Sequence, residues 1–245
     1  MMMRPPLIAT ALLWASFSIF SQDSGYPSPE SSSQYADDYL TVKNVLKECG
    51  IPDAQLSEIS KMENGHVVFL DLSNKDVSQD GAKVLPGIIG NLSELRTLIA
   101  RDNIITAIPP DIFTLRQLKT LILSSNRIAS IPVEIGNCMN LDSLDLSHNA
   151  IESLPGELGD CKNLTYLHLM GNNLTALPLS IAKMPKLKDL HLKDNRLTNL
   201  PEGIMSMKSL TYIDFQNNVL CNVSPKLDAW LKVKDKQYRA LQRCR

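Results

Sequence analysis

Six asparagines, Asn103, Asn126, Asn149, Asn172, Asn195 and Asn218, stand 23 residues apart, and each closes the same phrase. In the copy at 141–149 the phrase reads L-D-S-L-D-L-S-H-N, and further copies of the template begin at Leu95, Leu118, Leu164, Leu187 and Leu210. A fixed period of this length narrows the possible folds more than any other property of the chain. A short unit of this kind cannot bury its own apolar edge, so successive units must stack and build a solenoid. Such a solenoid offers a long concave surface to a partner, and nothing in it is inherently catalytic.

Numbered from its first Leu, one repeat carries apolar residues at positions 1, 4, 6, 11, 14, 18 and 21, Asn at 9 and usually Pro at 15. In the copy that starts at Leu118 these are Leu118, Leu121, Leu123, Asn126, Ile128, Ile131, Pro132, Ile135 and Cys138. Positions 4 and 6 alternate with polar residues, the period of a short strand with one buried face. The wider spacing that follows suits a tight return over the convex side, and successive strands then pair in parallel. The Asn amide both donates and accepts, so it can satisfy backbone groups left open where the strand turns away. Pro after position 14 fixes φ and ends strand pairing there.

An earlier copy at 67–94 is longer, with Val67, Leu70, Leu72 and Val77 in front, Leu85, Pro86, Ile89 and Leu92 behind, and Lys75 where the Asn belongs. Terminal repeats are often atypical because one side is not stacked. Seven strands at ~4.8 Å each predict a parallel sheet about 30 Å across. The phrase I-P-V-E-I-G-N-C-M-N-L-D-S-L-D-L-S-H-N-A-I-E-S-L-P resembles the typical 23-residue class of leucine-rich repeat proteins, and is similar to the Ras-suppressor-like and plant Ras-group members. The short caps are similar to those of exported bacterial leucine-rich repeat proteins. The resemblance implies an α/β fold: a right-handed solenoid with a curved parallel sheet of about seven strands, closed by helical N- and C-terminal caps. It implies a binding scaffold and names no ligand.

The ends divide the chain further. Residues 1–21 read as a secretory signal, with Arg4 in the n-region and the mostly apolar stretch 7–20 behind it, too short for the ~18 residues of a membrane span. The Ser- and Pro-rich stretch 22–38 reads as a disordered leader. An N-terminal cap at 39–66 is expected to hold two short helices broken at Gly50–Pro52, the repeats to fill 67–223, and a cap helix to occupy 224–245. In that last segment Ser224–Pro225 is a good helix start, and Leu227, Trp230, Leu231 and Leu241 are placed to cover the final rung. The phrase L-C-N-V-S-P-K-L-D-A-W-L resembles the start of the Cys-containing caps of extracellular members but lacks their closely spaced second Cys.

Five cysteines in an exported chain invite pairing. Cys221 and Cys244 flank the cap helix, and a disulfide between them would staple it. Cys138 and Cys161 share position 21 of adjacent repeats, where buried free thiols are the favoured reading, although the rung spacing does not forbid a bridge. Cys49 is then left unpaired. The net charge is −1 and gives no sign of a nucleic-acid partner. Its distribution is uneven: 23–65 holds eight acids against three lysines, and 224–245 holds seven bases against two acids.

On a solenoid sheet, positions 2, 3, 5, 7 and 8 face outward on the concave side. Position 5 there reads Asp145, His168, His191 and Asp214 across successive repeats, with Tyr166, Asp189 and Tyr212 beside it at position 3 and His148 at position 8. Earlier repeats present Ile99 and Ile122 at position 5, with Arg96, Arg101 and Lys119 around them. Aromatic residues mixed with charges are what protein-binding hot spots use. A divalent metal on His168 and His191 with Asp145 or Asp214 is a sharper alternative, but no supporting ligand can be read from the sequence, so no cofactor and no metal are expected. No nucleophile motif accompanies the row, so no catalytic residue is expected either. The leading expectation is a secreted, monomeric, non-enzymatic module, extracellular or periplasmic, that binds a protein on its concave face. An adhesion or envelope protein binding glycan or itself, and a Ras-type signalling scaffold, are the alternatives.

Overall fold

The structure is a computed structural model and describes residues 33–75 and 84–244, with side chains from residue 37 onward. The proposed signal at 1–21, the leader as far as 32, and Val77 lie outside the described residues. Eight strands form one sheet in chain order: β1 (Ser60–Glu63), β2 (His66–Asp71), β3 (Thr97–Ile99), β4 (Thr120–Ile122), β5 (Ser143–Asp145), β6 (Tyr166–His168), β7 (Asp189–His191) and β8 (Tyr212–Asp214). The seven strands β2–β8 are parallel, as the repeats require, and β1 adds an antiparallel edge. From β3 onward the register pairs identical repeat positions, so that Leu98, Leu121, Leu144, Leu167, Leu190 and Ile213 stack across the sheet.

Each of strands β3–β8 is three residues long because the chain turns abruptly after it. Position 8 is left-handed in every rung: Asn74, Asp102, Ser125, His148, Asp194 and Asn217 have φ between 50 and 57°, and Gly171 has φ 70°. Short polar residues and Gly tolerate that conformation best. The ladder asparagine follows at position 9 and ties the backbone of two successive rungs together. Asn195 Nδ2 donates to the Leu169 carbonyl of the previous rung (2.8 Å) and to its own Leu192 carbonyl (3.0 Å), while its Oδ1 accepts the Leu174 N–H at 3.0 Å. Asn126, Asn149, Asn172 and Asn218 repeat this pattern, and Asn103 does so with Lys75 N–H in place of the position-11 donor. Backbone groups that a three-residue strand cannot pair are thereby satisfied inside the turn.

The convex side is made of one 3₁₀ turn per repeat: Gly87–Asn91, Pro110–Thr114, Val133–Asn137, Gly156–Asp160, Leu179–Lys183 and Glu202–Ser206. Each starts after the position-15 proline, whose extended backbone aims its carbonyl at the N–H of position 18, as in Ile135 N–H to Pro132 at 3.2 Å. Adjacent turns touch closely. A β-carbon on Gly159 would lie 2.5 Å from Ser180 Cβ and 2.7 Å from the Ser180 carbonyl oxygen, so glycine is required by the approach. Between sheet and turns the repeat leucines and isoleucines form one continuous core, most of them fully buried. Burying a Leu or Ile side chain contributes roughly 1.5–3 kcal/mol, so each rung is held mainly by the next.

Both caps depart from expectation. Helix α1 (Ser33–Glu48) begins inside the stretch expected to be a disordered leader at 22–38. The prolines of that stretch end at Pro29, and from residue 33 a helix can dock: Val42, Val45, Leu46 and Cys49 are buried, and Asp38 accepts the Val67 N–H at 2.8 Å. The break at Gly50 occurs as expected, with φ 74°. The second expected helix is only one turn, α2 (Leu56–Ile59), and runs directly into β1. Asn64 and Gly65, with φ 50 and 86°, then join β1 to β2. Positive φ at both central residues is what a two-residue hairpin demands. At the other end, α3 (Pro225–Lys234) is capped by Ser224 and stops well short of 245. Leu227 and Leu231 are buried, but Leu241 is exposed; Tyr238 packs against Phe215 instead, with its ring held by Asp228. Once the helix ends, the helical spacing that pointed to Leu241 no longer applies. Cys221 and Cys244 form a disulfide across this cap, while Cys49, Cys138 and Cys161 are free and buried. Burial pushes the thiols of all three up to about 12, each further raised by a neighbour: Glu48, Cys161 and Asp160 respectively.

Candidate functional site

Parallel pairing in a constant register turns each outward repeat position into a straight row across the sheet. Position 5 gives Asp71, Ile99, Ile122, Asp145, His168, His191 and Asp214 as consecutive neighbours. Position 3 gives Phe69, Thr97, Thr120, Ser143, Tyr166, Asp189 and Tyr212. The concave face thus has an aliphatic half over β3 and β4 and a His/Asp/Tyr half over β5–β8.

In the second half the rings touch. The His168 and His191 ring centres are 4.3 Å apart, and His191 is 4.9 Å from Tyr212. Asp214, nearly buried at the end of the row, takes His191 Nδ1 on one oxygen at 3.0 Å and the N–H groups of Leu192 and Lys193 on the other at 2.7 and 2.9 Å. Burial alone would raise this carboxyl; the hydrogen bonds from His191, Lys193 and Leu192 outweigh it and hold Asp214 below the ordinary carboxylate value. His168 is lowered as well, for a different reason. Burial and the neighbouring His191 lower its pKa against the attraction of Asp145, Asp189 and Asp214, which favours a neutral ring. Burial, with Asp214 and Asp189 beside it, raises the Tyr212 hydroxyl. Asp145 is occupied by its own turn, accepting the N–H and the hydroxyl of Ser147 at 2.9 and 2.6 Å.

The remaining residues read from the sequence divide into two groups. Tyr166, His168, Asp189, His191, Tyr212, Asp145 and Asp214 come together on β5–β8. Arg96 and Arg101 lie on the β3 rung, two strand spacings or about 10 Å from β5. Arg96 is not free there: it pairs with Glu63 of the N-terminal hairpin at 2.7 Å. His148 is exposed at the left-handed turn position rather than within a strand, and a β-carbon on Gly171 would come within 2.7 Å of its Nδ1. One concave contact escaped sequence reasoning. Arg243 of the C-terminal cap reaches Asp194 at 3.1 Å, a pair 49 residues apart that no local pattern signals.

Chemically, this face is an open sheet surface bearing rings and carboxylates. Among the described residues no group of three or more His, Cys, Asp or Glu side chains is disposed to hold a metal ion. A depression of about 560 Å³ lies on the opposite side, lined by Val133, Gly136, Met139, Glu157, Asp160 and Lys162 among the 3₁₀ turns. No helix among the described residues is long and apolar enough to cross a membrane.

The Leucine rich repeat family profile matches residues 93–151, 116–174 and 162–220. No curated protein matches the chain. Among solved structures, a plant ice-binding protein is similar over 76% of this chain and 64% of its own, at 25% identity and a TM-score of 0.63. A TDR receptor is 30% identical over 57% of this chain and 25% of its own, with a TM-score of 0.53. The Toll–Spatzle complex of Drosophila is 29% identical over 61% of this chain and 20% of the matched chain, with a TM-score of 0.52. The chain therefore spans less than two thirds of the length of each of these structures.

Proposed function

Because this chain belongs to the leucine-rich repeat family, we propose that it is a recognition module whose concave sheet binds a protein partner, centred on Tyr166, His168, Asp189, His191 and Tyr212. The observation that carries this reading is the pair of tyrosines. Tyr166 and Tyr212 are 37% and 44% exposed on the same face, two strands apart, with a carboxylate between them. Large rings left exposed beside buried polar pairs are the composition of a binding hot spot, because they desolvate easily and lose little rotamer entropy when covered. Asp145 and Asp214 frame the contact, His148 stands at its rim, and Arg96 and Arg101 mark the far end of the same face.

Likeness to a TDR receptor and to the Toll–Spatzle complex supports recognition rather than catalysis as the role of this fold. The Cys221–Cys244 disulfide supports an exported protein, since such bonds persist in oxidising compartments. Residues 1–21 then serve as the export signal, and the secreted module acts as a monomer without cofactor. The test is partner capture by the full secreted chain compared with a Tyr166→Ala, His168→Ala, His191→Ala triple variant whose circular dichroism is unchanged. Loss of specifically captured partners is expected. A folded triple variant that retains every partner refutes the site.

A further inference from the structure

Three carboxylates stand at positions 3 and 5 of the concave half that carries the rings, and of these Asp189 is the one whose side chain has no hydrogen-bond partner among the described residues. Both oxygens of Asp214 are taken by His191 and by two backbone N–H groups. Asp145 gives one oxygen, Oδ1, to the N–H and the hydroxyl of Ser147. Asp189, half-buried on β7, accepts no side-chain hydrogen bond and makes no ion pair among the described residues; its influence reaches Tyr212 and His168 only through space. Of the two lysines flanking it in sequence on its rung, Lys193 lies instead beside Asp194 at 3.9 Å, and Lys188 makes no ion pair among the described residues. A partly desolvated carboxylate without a counter-ion is costly unless a ligand supplies one.

The register places this carboxylate between two rings, with Tyr166 on one neighbouring strand and Tyr212 on the other. Two strand spacings separate the tyrosines by about 9.6 Å, enough to admit a flat or slender cationic group with a ring on either side. Along the same face, the half-buried Ile122 offers apolar surface, and it is three strands from Asp189. Three spacings are about 14 Å, which an extended peptide covers in about four residues.

Resting on the docking reading above, we infer that Asp189 receives an arginine or lysine side chain of the partner, inserted between Tyr166 and Tyr212. An apolar side chain about four residues away in the same segment sits on Ile122. The partner is thus a protein with an exposed extended segment that is basic at one end and apolar at the other, crossing the strands of the sheet.

Phage display of random heptapeptides on the immobilised full chain tests this, with Asp189→Asn and the triple alanine variant selected in parallel. Wild type is expected to enrich peptides with a basic residue about four positions from an apolar one. Asp189→Asn should lose the basic enrichment and bind a wild-type-selected peptide about tenfold more weakly. Asp189→Lys should shift the enrichment to acidic residues. Peptides that depend on Tyr166, His168 and His191 yet are selected equally by Asp189→Asn overturn the cation assignment and leave the docking face standing. Peptides indifferent to all the variants, or no selectable peptide, overturn both.

Discussion

Replacing Asn195 by Leu removes the ladder amide from the most tightly enclosed part of the turn while nearly keeping its branched shape. Asn195 is 1% exposed, and its partners show which groups are then orphaned. The Leu192 carbonyl also accepts from Asn218, and the Leu169 carbonyl also accepts from Asn172, so each keeps one hydrogen bond. The Leu174 N–H donates to Asn195 Oδ1 and loses its partner outright. A buried donor left unpaired costs about 1–3 kcal/mol, and the two weakened carbonyls add about 0.5–1.5 kcal/mol each. The expected loss is roughly 2–6 kcal/mol, a large part of the ~5–15 kcal/mol typical of a folded domain. Asn126 makes the same set of bonds but is only half-buried, so water can reach the vacated groups. Asn126→Leu should therefore cost about 1 kcal/mol. Urea unfolding followed by far-ultraviolet circular dichroism, with the slope m checked for constancy, measures both. Equal losses at the two positions, or an Asn195→Leu variant within about 0.5 kcal/mol of wild type, would refute the view that enclosed backbone satisfaction sets the value of each rung.

Four further outcomes follow from the packing and the charges. Gly159→Ala should destabilise by about 1–3 kcal/mol because its β-carbon meets the Ser180 backbone, whereas Gly156→Ala, with nothing within 4 Å, should be neutral or slightly stabilising in the same melts. Asp214 has a folded-state pKa below its ordinary 3.8, so it contributes stability above that value and loses it as pH falls through the folded value; Asp214→Asn should flatten the acid limb of unfolding free energy against pH. Opening the Cys221–Cys244 loop by double serine substitution should cost about 3 kcal/mol for its 23-residue separation, with hydrogen exchange rising first over α3 and β8. In the native protein Cys49, Cys138 and Cys161 should not react with Ellman's reagent at mildly alkaline pH, and should do so after denaturation, since burial holds the thiols protonated.

Legibility followed the range of the interaction. The ladder asparagines were plain from spacing, because a 23-residue period maps directly onto stacked rungs, and the Cys221–Cys244 pair was plain because the two cysteines flank the cap helix. The β1–β2 hairpin was also written locally, in Asn64–Gly65, but was obscured by helical spacing around Leu56 and Ile59 that proves to be a single turn. The left-handed position 8 was less visible, since Asp, Ser, His, Gly and Asn alternate there and only their common φ unites them. Within the proposed site, the sequence brought Tyr166, His168, Asp189, His191 and Tyr212 to one face. It did not reveal that Arg96 is paired with Glu63, or that Asp214 and one oxygen of Asp145 already accept hydrogen bonds.

By itself, then, the period determined the solenoid, its parallel register and the composition of the concave rows, because each follows from contacts between residues one repeat apart. Tertiary structure alone decided how the caps close the ends, with Asp38 on the Val67 N–H and Tyr238 rather than Leu241 against Phe215. It also decided which of three similar carboxylates remains unpaired. Those outcomes depend on burial and on the direction of individual side chains in space, and neither is periodic in the chain.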